Sequence, residues 1–121
     1  MTVLVVDDEP LVRLYAVDVL NDAGHRTIEA GDASEALELL KQHPEINVLF
    51  TDVNMPGRFD GLELARQVHS LRADVQLIIT SGRERLTAAD MPCDGAFVSK
   101  PFQAAALTDL IAARTESQTL P

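Results

Sequence analysis

Asp7 and Asp8, Asp52, Ser81 and Lys100 each follow a short apolar run, at residues 3–6, 48–51, 77–80 and 96–98 respectively. If those runs are buried strands, the polar residues are delivered to strand ends. In open parallel sheets, ligands bind in the crevice beyond the carboxyl ends of the strands, where strand order reverses. Three carboxylates drawn into one crevice repel one another, a cost that a divalent cation with oxygen ligands offsets. Magnesium suits such a set, because it accepts one or two carboxylates, keeps waters and coordinates phosphate oxygens. Manganese is the alternative, and nothing in the set favours zinc. Beside a cation and a lysine, a carboxylate can act as nucleophile toward a phosphoryl group, and Asp52 is the best candidate. Such transfer depends on positioning and on stabilising charge over the equatorial oxygens. The cation and Lys100 would supply that charge from opposite sides, and Ser81 would add a hydroxyl donor.

The elements that must position these residues alternate along the chain. Strand-like runs at 3–6, 26–30, 48–51, 77–80 and 96–98 are separated by helical patterns, the signature of a parallel sheet covered on both faces. Glu9-Pro10 opens the first helix, whose stripe of Leu11, Tyr15 and Val19, flanked by Val12, Ala16 and Leu20, faces inward until Gly24 ends it. Asp32 with Glu35 starts the second, with Ala36, Leu37 and Leu40 inward and Pro44 as its stop. A third runs from about Gly61, with Leu62, Ala65 and Val68 inward. Between Ser81 and Asp94 only a short helix around residues 86–90 is predicted. A terminal helix carries Leu107, Leu110 and Ile111 and runs out into the polar residues 115–119. There is no internal repeat, linker or low-complexity stretch.

Composition narrows the function classes. A chain of 121 residues fits one domain. With 46% apolar and 24% charged residues it has the material for a core without disulfide or metal staples. Nineteen acidic against ten basic residues give a net charge of -9, which opposes direct binding to nucleic acid. Cys93 is the only cysteine, so no intramolecular disulfide is possible, and it reads as a structural thiol. His25, His43 and His69 show no ligand spacing and read as surface residues. No signal-type segment and no apolar run near the roughly 20 residues needed to span a membrane is present, so a cytoplasmic location is the expectation.

Four segments, in order and at strand ends, carry a family resemblance. They are Val5-Val6-Asp7-Asp8-Glu9-Pro10, Asp52-Val53-Asn54-Met55-Pro56-Gly57 with Asp60-Gly61-Leu62-Glu63-Leu64, Thr80-Ser81-Gly82, and Lys100-Pro101-Phe102. Over essentially its whole length the sequence resembles the receiver domain of two-component response regulators. The resemblance implies one domain over residues 1–121 with a flavodoxin-like, doubly wound, five-stranded parallel sheet of order 2-1-3-4-5. It implies that Asp52 takes a phosphoryl group from a histidine kinase, a histidine phosphotransfer protein or a small-molecule donor. Asp8 and Asp52 would bind magnesium directly, Asp7 through water, with the backbone carbonyl of Asn54 completing the protein ligands. Lys100 would pair with the phosphoryl group across a cis Lys100-Pro101 bond, and Ser81 and Phe97 would be a switch pair.

Two departures from the family pattern stand out. The turn at residues 57–61 is longer than usual, which should tune access. The stretch between Ser81 and Lys100 is shorter, so the fourth helix of the family should be short or irregular and its dimerisation face is in doubt. Asn54 and Arg83 hold positions that in this family influence the lifetime of the aspartyl phosphate.

Taken singly, the same residues have plainer readings. Asp7 or Asp8 would be a helix N-cap, Lys100 a solvated lysine, Ser81 a turn residue and Phe97 a core aromatic. It is their joint placement that points to chemistry. A haloacid-dehalogenase-type phosphohydrolase also uses a strand-end aspartate, but that class wants a second aspartate two positions on, where this chain has Asn54 after Asp52 and Glu9 after Asp7. A degenerate receiver binding partners without phosphorylation is disfavoured by the intact acidic set, Ser81 and Lys100. The domain is expected either to stand alone, which Met1 close to the first strand favours, or to be cut from a hybrid kinase or larger regulator. Its downstream target is not written in these residues, and no DNA-binding or enzymatic output module is expected within them.

Overall fold

The computed structural model describes residues 1–53, 61–81, 95–100 and 102–119, with backbone only for residue 99 and residues 113–119. Five strands form one sheet: β1 (Thr2–Val6), β2 (Arg26–Ala30), β3 (Val48–Asp52), β4 (Gln76–Ser81) and β5 (Ala96–Ser99). All neighbouring pairs are parallel and the order is β2-β1-β3-β4-β5, as the resemblance implied. β1 and β3 are buried at every position, consistent with their unbroken apolar runs between two helical layers. β2, at one edge, exposes Arg26 and Glu29.

Side chains that alternate along the strands feed two cores. Leu4, Val6, Leu49, Leu77 and Ile79 pack with Ala36 and Leu40 of α2 (Ala33–Gln42) and with Leu64, Ala65 and Val68 of α3 (Gly61–Leu71). Val3, Val5, Val48, Phe50 and Ile78 pack with Ala16, Val19 and Leu20 of α1 (Pro10–Asp22) and with Leu107 and Ile111 of α4 (Ala104–Thr119). The helical backbone of α4 extends to Thr119, through the polar residues into which the apolar stripe was predicted to run out.

Local chemistry sets the helix ends. Pro10 occupies the first turn of α1, where a missing N–H costs nothing. After Ala23 the chain turns through Gly24 at φ 92°, a left-handed conformation that suits glycine. Asp32 caps α2 by accepting from the Glu35 N–H at 2.8 Å, and Glu35 reaches back to accept from Gly31 N–H at 2.7 Å. This capping box grips one residue further back than the usual form.

The inward stripe of α1 differs from the sequence expectation. Ala16, Val17, Val19 and Leu20 are buried, whereas Leu11 is 81% and Tyr15 45% exposed. At 3.6 residues per turn Leu11 lies about 140° around the helix from Ala16, so the buried face runs through Ala16, Val19 and Leu20 and leaves Leu11 outside, with Tyr15 at its margin. Leu62 and Leu37, also expected inward, are half-buried beside the buried Leu64 and Leu40. The short helix expected near residues 86–90, and with it the form of the family's fourth helix, lies outside the described residues.

Candidate functional site

β1 and β3 end side by side, Val6 pairing with Thr51, so the next residues on each strand, Asp7 and Asp52, meet at the sheet's carboxyl edge. Both are 4% exposed. Asp8 and Glu9 lie on the exposed turn that leads into α1. One carboxylate oxygen from each of Asp7, Asp8, Glu9 and Asp52 can be chosen so that all four lie within 4.8 Å of one another.

Lys100 enters from the far side. Its Nζ stands 3.0 Å from Asp7 Oδ2 and 3.3 Å from Asp52 Oδ2, bridging the two buried carboxylates. Its backbone is fixed as well, because Lys100 N–H donates to the Ser81 carbonyl at 3.0 Å and so ties the end of β5 to the end of β4. Burial works to lower the lysine pKa, but the hydrogen bonds and negative charges of Asp7 and Asp52 outweigh it and hold the group above its ordinary value. At neutral pH Lys100 is therefore an ammonium.

Asp7 is held at several atoms. Its N–H donates to the Ala30 carbonyl at 3.2 Å, its Oδ1 accepts from Glu9 N–H at 2.9 Å, and its Oδ2 accepts from Lys100. Around Asp52 the backbone is fixed by Val53 N–H donating to Thr80 carbonyl, and by Gly61 N–H donating to Val53 carbonyl, each at 3.0 Å. Phe102, two residues past Lys100, packs its ring 5.4 Å from both Tyr15 and Phe50. Tyr15 Oη donates to the Phe102 carbonyl at 3.4 Å, so α1 touches the segment that carries the lysine.

The sequence-predicted residues fall as follows. Asp7, Asp8, Asp52 and Lys100 converge. Ser81 is buried at the end of β4. Phe97 is half-buried on β5, paired with Ile79 while Ser81 pairs with Ser99, so Phe97 and Ser81 share one face of the sheet. Asn54, Arg83 and Pro101 lie outside the described residues, and with them the carbonyl ligand, the lifetime position and the geometry of the Lys100-Pro101 bond. Sequence reasoning missed Glu9 as a member of the acidic group, having read it only as a helix opener, although it adjoins two aspartates. It also missed Arg13 and Gly61, whose contacts with the site are long-range and leave no local signal.

Among the described residues the donor set is one of carboxylate oxygens, with no imidazole or thiolate in the group, and Lys100 faces its two buried carboxylates. That chemistry fits a hard divalent cation such as magnesium.

Such a crevice at the carboxyl edge of a 2-1-3-4-5 parallel sheet defines a doubly wound α/β domain whose site joins an acidic cluster to a lysine. Residues 3–112 match the response regulator receiver domain family, and the chain belongs to it. It is thus a phosphoacceptor receiver module of two-component signalling. The chain is 34% identical over 121 residues to the sensor kinase CckA of Brucella abortus, covering 97% of this chain and 13% of that protein. It is 30% identical over 112 residues to the response regulator receiver protein CpdR of Brucella abortus, covering 90% of this chain and 89% of that one. The crystal structure of a response regulator receiver protein from Sinorhizobium medicae superposes with a TM-score of 0.86 at 27% identity, over 93% of this chain and 92% of that chain. Receiver domains as a class interact with histidine kinases or phosphotransfer proteins and bind magnesium at an acidic pocket. Among the described residues, no helix is long and apolar enough to cross a membrane.

Proposed function

We propose that Asp52 is the phosphoacceptor of this domain and that the reaction depends on magnesium held by Asp8 and Asp52, with Asp7 acting through water and the Asn54 carbonyl as a further ligand. The observation that carries this reading is the Lys100 ammonium placed 3.0 and 3.3 Å from the two buried carboxylates Asp7 and Asp52. A bound cation supplies positive charge opposite the lysine, which lets an anionic nucleophile approach an anionic phosphoryl group. An Asp52 carboxylate oxygen attacks phosphorus, the bond from phosphorus to the donor's histidine nitrogen or acetate oxygen breaks, and an acyl phosphate remains on Asp52. Lys100 then exchanges its contact with the Asp52 carboxylate for one with the new phosphoryl oxygens. Ser81, buried at the next strand end, offers its hydroxyl to the same group. Phe97, on Ser81's face of the sheet, transmits the change to the β4 and β5 surface. The module catalyses its own phosphorylation and the later hydrolysis of the acyl phosphate.

The donor is a cytoplasmic histidine kinase or histidine phosphotransfer protein. Leu11 and Leu14, exposed in the first turns of α1 directly after the acidic residues, give such a protein an apolar foothold. The test is intact mass after incubation with acetyl phosphate and magnesium. A gain of one phosphoryl group that disappears in Asp52→Asn and with chelator supports the reading. Labelling that persists in Asp52→Asn would assign the acceptor elsewhere.

A further inference from the structure

Arg13 lies one turn into α1 and sends its guanidinium back to the end of β1. Nη1 donates to the Asp7 carbonyl at 2.6 Å and Nε to Glu29 Oε1 at 3.1 Å. The ladders from β1 to β2 and to β3 both stop at Val6, so the Asp7 carbonyl has passed the last strand partner while its residue is still buried. A buried carbonyl needs a donor, and here a charged one supplies it. Glu29, on the exposed edge strand, holds the other side of the guanidinium, so the fork is fixed between helix and sheet.

We infer that Arg13 is a positioning residue for the acidic corner, fixing the Asp7 backbone so that its carboxylate is presented to the cation and to Lys100. The inference rests on the cation-binding reading of the site. It differs in sign from a plain charge effect. A positive guanidinium near an acidic site repels a cation, so if charge alone mattered its removal would tighten cation binding. If Arg13 acts by holding Asp7, its removal weakens binding despite the lost repulsion. Outer-shell partners of metal ligands typically carry about 10- to 100-fold in affinity. The lower end applies here, because Asp7 keeps its bonds to Ala30, Glu9 and Lys100.

The experiment measures Mn2+ affinity by electron paramagnetic resonance, alongside the amide resonance of Glu9, which is bonded to Asp7 Oδ1, in metal-free protein. Arg13→Ala is expected to weaken Mn2+ about 10-fold and to shift the Glu9 amide. Arg13→Lys keeps the charge but not the fork, and should fall between Arg13→Ala and the wild type. Glu29→Gln removes the same negative charge as Glu29→Ala but keeps an acceptor for Arg13 Nε, so Glu29→Ala should bind Mn2+ more weakly than Glu29→Gln through loss of the brace. Ile111→Val, a core change remote from the acidic corner, should leave Mn2+ affinity unchanged. Unchanged or tighter Mn2+ binding in Arg13→Ala, or Arg13→Lys equal to wild type, would overturn the inference. Wild-type protein that binds no Mn2+ would overturn the cation reading instead. An unmoved Glu9 amide in Arg13→Ala would separately show that Arg13 does not hold Asp7.

Discussion

Gly61 lies so close to Asp52 that a Cβ at residue 61 would overlap the Asp52 carbonyl oxygen and stand 2.8 Å from its carbonyl carbon. The same Cβ would be 3.0 Å from Val53 Cα, so its three nearest neighbours are all backbone. No side-chain rotation can relieve that overlap, and the strand end carrying Asp52 must move. Gly61→Ala is therefore expected to destabilise the domain by about 1–3 kcal/mol, the usual range for overpacking. Labelling of Asp52 by acetyl phosphate should fall further than the folded fraction does. Urea melts paired with intact mass check this, and full labelling of a folded Gly61→Ala variant would show that the close approach does not position Asp52.

Lys100 Nζ lies beside both buried carboxylates, and Lys100→Met removes its charge while keeping most of its volume. Asp7 and Asp52 are then left buried and facing each other, and breaking such a pair by removing one partner costs about 3–5 kcal/mol. Magnesium should return more stability to Lys100→Met than to wild type, because the ion takes over the missing positive charge. Urea midpoints with and without magnesium measure both effects, and equal magnesium gains in the two proteins would count against a shared site. In the wild type the folded pKa of Lys100 is raised. Its contribution is thus complete below about pH 10.4 and is lost only as pH rises through the higher folded value.

The strand-end residues Asp7, Asp52, Ser81 and Lys100 were readable because each interrupts an apolar run, and a polar residue there has few other physical reasons. The sheet order followed from the family resemblance and is what the structure shows. Leu11 and Tyr15 were misassigned to the inner face because α1 is apolar over a wide arc, and only the part of that arc through Ala16, Val19 and Leu20 meets the sheet. Nothing in the sequence singled out Arg13, since its partners, the Asp7 carbonyl and Glu29, become neighbours only when β1 and β2 pair. Gly61 was read as a helix start. The need for a missing side chain arises from the return of the chain against Asp52, and no local pattern encodes that.

Thr80 carries a buried hydroxyl, Oγ1, with no hydrogen-bond partner among the described atoms. It lines a cavity of about 10 Å³ between Val5, Asp7, Ala16, Phe50 and Phe102, at the lower limit for one water. Leaving a hydroxyl unsatisfied costs about 1–3 kcal/mol, while replacement by an apolar group of the same shape removes that cost. Thr80→Val is expected to raise stability by about 1 kcal/mol, seen as a rise of a few degrees in Tm. A fall in Tm would mean that a water bonds the hydroxyl in the cavity.

Arg72, at the end of α3, donates through Nη2 to the Ile46 and Pro44 carbonyls at 2.9 and 3.2 Å. It also clasps Asp74, with Nε to Oδ1 at 3.1 Å and Nη2 to Oδ2 at 3.0 Å. The arginine thus pins the turn after α3 to the loop that feeds β3, the strand ending in Asp52. Arg72→Ala is expected to cost about 1–2 kcal/mol, mostly from the two carbonyls it abandons. Asp74→Asn should cost less, about 0.2–1 kcal/mol, since that pair is largely exposed. The hydrogen bond from Arg72 holds the Asp74 carboxyl below its ordinary pKa. A depressed folded pKa means that the pair stabilises fully above about pH 3.9 and loses its contribution as pH falls through the lower folded value. The stability gap between wild type and Asp74→Asn should therefore stay constant from about pH 5 to 8 and close as the pH drops below about 3.9. Urea midpoints across that range measure it, and a gap that widens in acid would rule out the ion pair as its source.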